Sequence, residues 1–260
     1  MPPNPPQDRR PWHFRRAWTV HPAALLLLAC IVALAVRLPF LGLESGDYRG
    51  YVSRWYDYLA ATGPIALGDH FADYTPAYLY VLLGLVFVPL PKLLAIKLTS
   101  IAFDFLLAAA VAVVVGKCRP GRSAPAIAFA AVLVTPTVVL NSAAWGQCDA
   151  IYAAFVVLAV ALVPRRPWLA MVCLGLAFAF KAQAIFLGPF VLVLLLRRQL
   201  SLASVLIVPA VLVASLIPAW LLGRPMGELL LIYREQSGNY EQLTLNAPSL
   251  YGWLPNYEDA

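Results

Sequence analysis

Charged residues are scarce in this chain of 260 residues. Only 12% are Asp, Glu, Lys or Arg, while 62% are hydrophobic, and an ordinary soluble domain has roughly 25% charged residues. A water-soluble fold of this size cannot cover so much apolar surface with a polar exterior. The composition therefore excludes a soluble enzyme, a disordered protein and a nucleic-acid-binding module, and it predicts an all-α, polytopic transmembrane helical bundle.

Cysteine is also scarce. The four cysteines are scattered at positions 30, 118, 148 and 173 without a CxxC pair, so neither a disulfide framework nor a zinc site is indicated. Cys30 follows Leu-Leu-Ala as in a lipoprotein cleavage box. However, the apolar run continues to Val36, which favours an uncleaved first membrane helix.

The positive charge is arranged in short clusters between apolar runs. The net charge is +6, and clusters lie at 9–16, 117–122, 165–166 and 197–198. This pattern is typical of cytoplasmic loops under the positive-inside rule, so the charge indicates topology and not a nucleic-acid partner. We predict a multi-pass protein of the plasma (cell inner) membrane with a cytoplasmic N-terminus.

Eight apolar runs divide the chain, at 22–41, 76–91, 95–116, 124–140, 146–163, 167–180, 183–196 and 200–222. Residues 1–21 are basic and Pro-rich, which predicts a disordered tail. Residues 22–222 are predicted to form the transmembrane module, and residues 223–260 an extracytoplasmic tail or loop. A helix needs about 20 residues to cross a bilayer, so runs 167–180 and 183–196 could be half-length helices meeting at a polar break.

The run 76–91 creates a conflict in the topology. Two full crossings, by this run and the next, would return the chain to the side of loop 42–75 and place the basic cluster 117–122 outside. Either one of these runs is re-entrant, or the cluster 117–122 breaks the positive-inside rule. Pro89 and Pro91 interrupt the first run. We therefore prefer the re-entrant interpretation.

Four aromatic residues in the first loop have helical spacing. Tyr48, Tyr51, Trp55 and Tyr58 are three, four and three residues apart, which predicts one shared helical face. An amphipathic helix lying in the membrane interface would have this pattern, with its aromatic side at headgroup depth. The segment 45–47, Ser-Gly-Asp, is a plausible start for it.

Polar residues at the edges of apolar runs are candidates for function, because ionisable groups in a membrane are costly. Asp47 could deprotonate a substrate hydroxyl, or it could only favour the start of a helix. Segment 69–73, Asp-His-Phe-Ala-Asp, has three ionisable groups within five residues. It could bind a divalent metal or be a solvated loop, so a metal stays open and no cofactor is assigned.

Two further polar segments interrupt strongly apolar sequence. Trp145, Gln147 and Asp149 combine a stacking ring with hydrogen-bonding groups, which suits a sugar, although Asp149 could be only an N-terminal cap. Lys181 stands within a long apolar stretch. It could hold the phosphate of a lipid-linked sugar, or it could snorkel to the interface.

Lys97 and Asp104 lie seven residues apart and so share one helical face. Direct pairing across two turns is disfavoured. We expect each to pair with another helix in a structural role.

Taken in order, these segments resemble the GT-C class of integral-membrane glycosyltransferases. They are similar to bacterial mannosyltransferases related to the enzyme that adds the second mannose of GPI anchors. The resemblance is carried by Ser45-Gly46-Asp47-Tyr48, Asp73-Tyr74-Thr75-Pro76, Lys97-Leu98 with Asp104, Trp145-Gly146-Gln147-Cys148-Asp149, Lys181-Ala182-Gln183-Ala184 and Asn246-Ala247-Pro248-Ser249-Leu250-Tyr251.

The resemblance implies transfer of a sugar, with mannose favoured, from a polyprenyl-phosphate-linked donor to a hydroxyl of a glycan or lipid-linked acceptor. Transfer would occur outside the cytoplasm with inversion, and Asp47 would be the catalytic base. Donor or acceptor contacts are implied for Asp73, Tyr74, Trp145, Gln147, Asp149, Lys181, Gln183 and Asn246.

Members of this class are longer, so the resemblance also implies that the tail 223–260 continues in a longer parent protein. Two alternatives stay open. One is a membrane transporter or lipid-carrier flippase that uses the same charges as a substrate path. The other is an inactive fragment of a glycosyltransferase.

Overall fold

The computed structural model describes residues 21–119, 121 and 123–238. Regular secondary structure in these residues is helical, and no β-strand occurs among them, which confirms the predicted all-α class. The α-helices are α1 (Pro22–Ala35), α2 (Ser53–Thr62), α3 (Pro76–Val86), α4 (Lys92–Cys118), α5 (Ser123–Val134), α6 (Pro136–Val139), α7 (Asp149–Leu162), α8 (Pro167–Phe180), α9 (Gly188–Leu196), α10 (Leu202–Val205), α11 (Ile207–Leu221) and α12 (Met226–Gly238). Shorter elements are 3₁₀ turns at Leu38–Phe40, Gly63–Gly68 and Ala182–Leu187 and π turns at Tyr48–Val52 and Leu140–Trp145.

Each of the eight apolar runs contains helix, as predicted. By length and composition, three helices among the described residues can cross a membrane: Pro22–Phe40, Lys92–Cys118 and Leu202–Leu221. The segments Ser123–Val134 and Pro136–Trp145 qualify together as a pair bent by 52°, and the bend falls at Pro136, which cannot continue the preceding helix. The other apolar helices are shorter. The chain is therefore a multi-pass membrane protein.

Helix α4 is the centre of the bundle and packs against α5 and α7, while α8 lies between α7 and α11. Small residues make these approaches possible, because membrane helices associate through close backbone packing. Ala154 in α7 and Ala177 in α8 are fully buried. A Cβ atom on Gly175 would lie 2.7 Å from Val211 Cβ, so the contact between α8 and α11 requires glycine at that position.

Both ends of the run 76–91 lie at the same end of the bundle. At its start, the ring of Tyr74 packs 5.1 Å from that of Trp55 in α2. After its end, the ammonium of Lys92 lies 2.8 Å from the Asp57 carboxylate, also in α2. Helix α3 has 11 residues and is about 16 Å long, against a bilayer core of about 30 Å. By its own length α3 therefore falls short of a crossing, and the re-entrant interpretation stays a prediction.

The two ends of the bundle differ in charge. Lys117, near the end of α4, donates to the backbone carbonyl of Ala161 near the end of α7. Arg165 and Arg166 follow α7 directly, so these basic residues share one end. The first loop and the start of α7 lie at the other end, together with the polar residues described below.

Arg37 and Asp104 form a buried ion pair that joins α1 to α4. Arg37 Nη2 lies 2.8 Å from Asp104 Oδ2, and each side chain is 1% exposed. Arg37 also donates to the carbonyl of Leu133 in α5 at 2.9 Å, and the Ser142 hydroxyl donates to Asp104 Oδ2 at 2.5 Å. This cluster fixes four elements in one arrangement, and Asp104 has its partner on another helix, as expected.

Candidate functional site

The helix that carries Asp47 begins where the sequence predicts. The Ser45 hydroxyl accepts a hydrogen bond from the Tyr48 backbone N–H at 3.1 Å, as an N-terminal cap does. The same hydroxyl donates to the carbonyl of Trp145 at 2.9 Å. Ser45 thus ties the start of this helix to the segment that precedes Gln147.

The four aromatic residues of this helix differ in burial. Tyr48 and Trp55 are 4% and 6% exposed, whereas Tyr51 and Tyr58 are 46% and 38% exposed. The two buried residues are seven positions apart, as are the two exposed ones, so each pair lies on one side of the helix. Tyr48 and Trp55 pack into the core, and the ring of Tyr51 lies 6.0 Å from that of Trp55.

A small cleft of about 90 Å³ opens beside this helix. We call it the carboxylate cleft; its lining residues are Asp47, Tyr51, Val52, Trp55, Asp73, Tyr74, Tyr78 and Gln147. The Gln147 amide donates to Asp47 Oδ2 at 2.7 Å. Three residues predicted from sequence segments far apart, Asp47, Asp73 and Gln147, therefore meet in one place.

Gln147 reaches Asp47 because the backbone turns sharply at Gly146. This residue has φ 69° and ψ 28°, directly after the π turn that ends at Trp145, and glycine adopts this left-handed conformation without strain. The Gln147 N–H then bonds to the carbonyl of Asn141 at 3.0 Å. Each of the two segments that supply this hydrogen bond thus carries a π turn: one follows Asp47 directly, and the other ends two residues before Gln147.

Lys97 contacts both segments that form the carboxylate cleft. Its ammonium donates to the carbonyls of Phe40 and Leu43 at 2.6 and 2.5 Å, in the connection that leads to Asp47. Its Cγ lies 3.6 Å from where a Cβ of Gly146 would stand. Lys97 thus contacts both segments of the cleft without lining it, which agrees with the structural role expected for it.

A second cavity, of about 360 Å³, adjoins the carboxylate cleft. We call it the ammonium cavity; it is lined by Tyr74, Thr75, Phe180, Lys181, Ala182, Gln183, Tyr233 and Gln236. Tyr74 lines both spaces, and Lys181 Nζ lies 5.9 Å from the centre of its ring. Asp47 and Lys181 therefore face neighbouring cavities at one end of the bundle.

Lys181 occupies the predicted polar break between two half-length helices. Its backbone is extended, with φ −151° and ψ 138°, between the end of α8 and the 3₁₀ turn at Ala182. Its ammonium pairs with Asp149 Oδ1, and the Asn141 amide donates to Asp149 Oδ2 at 2.7 Å. Both carboxylate oxygens of Asp149 are thus held by protein groups, so Asp149 is placed to orient Lys181.

An apolar groove of about 350 Å³ begins at Gln183 and follows α7. Its lining residues are Tyr152, Ala153, Val156, Val157, Gln183, Ala184, Phe186 and Leu187. Phe186 is 81% exposed, which is compatible with contact to lipid in a membrane protein. The groove joins the ammonium cavity, since Gln183 lines both.

Two of the predicted residues are not brought to either cavity. The Trp145 side chain is 50% exposed and is absent from the lining of both spaces, while its backbone carbonyl bonds to Ser45. Asn246 lies outside the described residues. Tyr51 and Trp55 line the carboxylate cleft, whereas the sequence pattern assigned them only to an interfacial aromatic face.

Asp69 and His70 of segment 69–73 contact side chains of α2 and α12. The Tyr58 hydroxyl donates to Asp69 Oδ2 at 2.7 Å, and this hydrogen bond raises the pKa of Tyr58 above its ordinary value. His70 Nδ1 lies 3.4 Å from the Glu228 carboxylate. Among the residues that the structure describes, no group of three or more His, Cys, Asp or Glu side chains is arranged to hold a metal ion.

Comparison with known proteins gives one match. The model of the family described as Glycosyltransferase family 87 matches residues 71–239, well over half of the chain. No curated protein and no solved structure matches. The matched range includes six of the predicted residues that line the two cavities or hold Lys181, whereas Asp47 precedes it: Asp73, Tyr74, Gln147, Asp149, Lys181 and Gln183.

Proposed function

This chain belongs to glycosyltransferase family 87 and is a membrane glycosyltransferase, and we propose that it transfers a sugar from a polyprenyl-phosphate donor to an acceptor hydroxyl. Mannose is the first sugar to test. One observation carries the proposal: Asp47 and Lys181 line two cavities that share Tyr74 as a common wall. A base and a cation thus face adjoining spaces in which acceptor and donor could meet.

Asp47 is the proposed catalytic base. In an inverting transfer the acceptor oxygen bonds to the anomeric carbon, the bond from that carbon to the phosphate oxygen breaks, and the acceptor proton passes to the carboxylate. The hydrogen bond from Gln147 at 2.7 Å fixes the plane of that carboxylate. A fixed base near the reacting hydroxyl lowers the entropic cost of the step.

Lys181 is the proposed partner of the donor phosphate. The phosphate gains negative charge as the bond to the sugar breaks, and an ammonium beside it stabilises that charge more strongly in a water-poor site. Asp149 pairs with Lys181, and Asn141 in turn donates a hydrogen bond to Asp149. The side chain of Lys181 is 15% exposed, so it is accessible from the cavity while largely shielded from water. Gln183 lines the same cavity and could bind a phosphate or sugar oxygen.

The apolar groove supports a lipid-linked donor. It starts at Gln183, beside Lys181, and continues between apolar side chains of α7 and the Ala182–Leu187 turn. A polyprenyl chain bound there would place its phosphate next to the ammonium. A nucleotide-linked donor would leave this apolar surface without a ligand group to match it.

The charge distribution supports transfer on the extracytoplasmic side. The cavities lie at the end of the bundle opposite Lys117, Arg165 and Arg166. If those residues face the cytoplasm, in accord with the positive-inside rule, the cavities open on the other side of the plasma membrane, and α1 runs outward from a cytoplasmic N-terminus.

The direct test is transfer by the full chain in proteoliposomes. Polyprenyl-phosphate [³H]mannose and GDP-[³H]mannose are supplied separately with an oligosaccharide acceptor. We expect label to reach the acceptor from the lipid donor alone. Transfer from GDP-mannose only, or movement of the labelled lipid between leaflets without transfer, would contradict the proposal, and the second result would favour a flippase.

A further inference from the structure

We propose that a cavity on the flank of the bundle, separate from the two that Asp47 and Lys181 line, binds a long-chain lipid alcohol. We call it the lateral cavity. It measures about 330 Å³ and lies between α4, α7 and the segment after Pro136, and its lining includes Asp104, Leu107, Thr137, Asn141, Asp149 and Tyr152. The inference goes beyond the proposed sugar transfer and does not depend on it.

The lateral cavity exists because the chain changes direction at Pro136. Segments Ser123–Val134 and Pro136–Trp145 are bent by 52° relative to each other, since proline cannot continue the preceding helix. Thr137 and Asn141 therefore leave the line of α5, and a space remains between them and α4. The volume of this space falls within the range of small-molecule sites.

The lateral cavity lies at the depth of the lipid chains. Asp104 is near the middle of the 27-residue helix α4, about 18 Å from Lys92 at 1.5 Å per residue, and a bilayer core is about 30 Å thick. Thr137 is exposed, and Leu140 on the same segment is 38% exposed. A ligand that reaches this flank comes from the membrane, and Leu107 offers its hydrocarbon chain an apolar contact.

The charges at the lateral cavity are already compensated. Asp104 is paired with Arg37 and Asp149 with Lys181, and neither cation lines the cavity. An anionic head group would face two carboxylates without a neighbouring cation. A cationic one would compete for oxygens that protein groups already bind, and either charge is costly to bring to this depth. The lining therefore selects an uncharged head group.

The polar groups of the lateral cavity match a hydroxyl. Thr137 is exposed, and its hydroxyl has no hydrogen-bond partner among the described residues, whereas that of Thr135 donates to the carbonyl of Ala131 at 2.7 Å. Lipid chains supply no such partner. A hydroxyl both donates and accepts, so it can bond to the Thr137 hydroxyl, to the Asn141 amide or to the Tyr152 phenol.

The lateral cavity differs from the path proposed for the donor. It shares no lining residue with the ammonium cavity, and Tyr152 and Ala153 are the residues that border both it and the apolar groove. An alcohol bound there would contact Asn141 and Asp149 without entering the space that Lys181 faces. It would therefore be a second lipid ligand, held on the other side of the ion pair from the donor phosphate.

Photolabelling with three probes that share one chain tests the choice of head group. The full chain in nanodiscs is irradiated with a diazirine-containing hexadecyl chain that carries a hydroxyl, a sulfonate or a trimethylammonium head, and labelled peptides are identified by mass spectrometry. We expect the alcohol to label the lining segments of α4 and α7 roughly tenfold more than either charged probe. Unlabelled hexadecanol should displace it.

Matched variants locate the alcohol in the lateral cavity. Leu107→Trp fills the cavity and should remove most of the labelling, whereas Leu106→Trp changes the neighbouring residue, which is 38% exposed and outside the lining, and should leave it unchanged. Thr137→Val removes one hydroxyl at nearly constant volume and should lower labelling roughly two- to tenfold. Thr135→Val, whose lost hydroxyl bonds within its own helix, should have no such effect.

The outcomes separate this inference from the proposed function. Equal labelling by the three probes would show contact with bulk lipid chains only and would overturn the lateral site, as would preference for a charged probe. Equal labelling of Thr137→Val and Thr135→Val would also overturn it, and this pair decides the question if Leu107→Trp does not fold. Alcohol-specific labelling of a protein that transfers no sugar would support the site and contradict the proposed function.

Discussion

Two ion pairs inside the apolar bundle contain the same kinds of group, a cation, a carboxylate and a neutral hydrogen-bond donor, but they differ in exposure. Arg37 with Asp104 and Lys181 with Asp149 each join two helices, and in each pair a neutral side chain also donates to the carboxylate. The first pair is sealed, since both side chains are 1% exposed. In the second, Lys181 is 15% and Asp149 34% exposed.

This difference separates structural charge from charge available to a ligand. Ionisable residues in a membrane protein are functional candidates by default. The sealed pair has its hydrogen bonds directed at α1, α4 and α5, and although Asp104 borders a cavity, each side chain of the pair is only 1% exposed. In the open pair, Lys181 lines the ammonium cavity and is 15% exposed. Exposure of the charged side chain, more than membrane location, is therefore the property that identifies Lys181 as a candidate for chemistry.

Breaking the sealed pair should have the largest effect, on stability. Arg37→Met leaves Asp104 buried without its cation, which costs about 3–5 kcal/mol, and the thermal midpoint measured by fluorescence-detected size exclusion should fall sharply. Adding Asp104→Leu should recover much of the loss, because an apolar pair removes the uncompensated charge. A midpoint unchanged in Arg37→Met would show that the pair is not structural.

Breaking the open pair should affect activity instead. Lys181→Met should lower sugar transfer roughly 10²- to 10³-fold, as loss of a charge-stabilising donor does, with a small change in the thermal midpoint because the exposed part of Asp149 can be hydrated. Lys181→Arg should restore part of the rate. If Lys181→Met unfolded the protein as Arg37→Met does, the distinction between the two pairs would be wrong.

Removing the hydrogen bond from Gln147 to Asp47 should have a smaller effect on the rate of transfer. Gln147→Ala removes one hydrogen bond to a carboxylate, so we expect kcat to fall about tenfold with little change in KM for the acceptor. Gln147→Glu places a second carboxylate beside Asp47 and should lower kcat further. A rise in KM at constant kcat would instead indicate that Gln147 binds substrate directly.

The smallest effect is expected outside the bundle, at Tyr58. The hydrogen bond to Asp69 raises the pKa of the Tyr58 phenol in the folded chain. Its contribution to stability is therefore present below the unfolded tyrosine pKa of about 10 and is lost as the pH rises through the higher folded value. Asp69→Asn should move the phenol titration, followed by ultraviolet absorbance, to lower pH. An unmoved titration would show that the contact does not form.

Sequence patterns were sufficient for the framework and for part of the site. Apolar length predicts the helices, and the cost of burying charge singles out Asp47, Lys181 and Asp149. The π turn at Tyr48–Val52 could not be predicted, because a single widened turn leaves no period in the sequence, and the cleft that Tyr51 and Trp55 line was not predicted either. The roles of Gln147 and Asp149 as orienting groups depend on contacts between distant segments, which only the folded chain defines.

The central claim is that Asp47 acts as the base, and one matched pair of variants tests it. Asp57 lies in α2, ten residues along the chain, in an exposed ion pair with Lys92, so Asp57→Asn controls for loss of a carboxylate from the same region. Initial rates of mannose transfer are measured in proteoliposomes at saturating lipid donor. The account predicts a loss of roughly 10²- to 10⁴-fold for Asp47→Asn and a near-native rate for Asp57→Asn. Equal, near-native rates for both variants would contradict it.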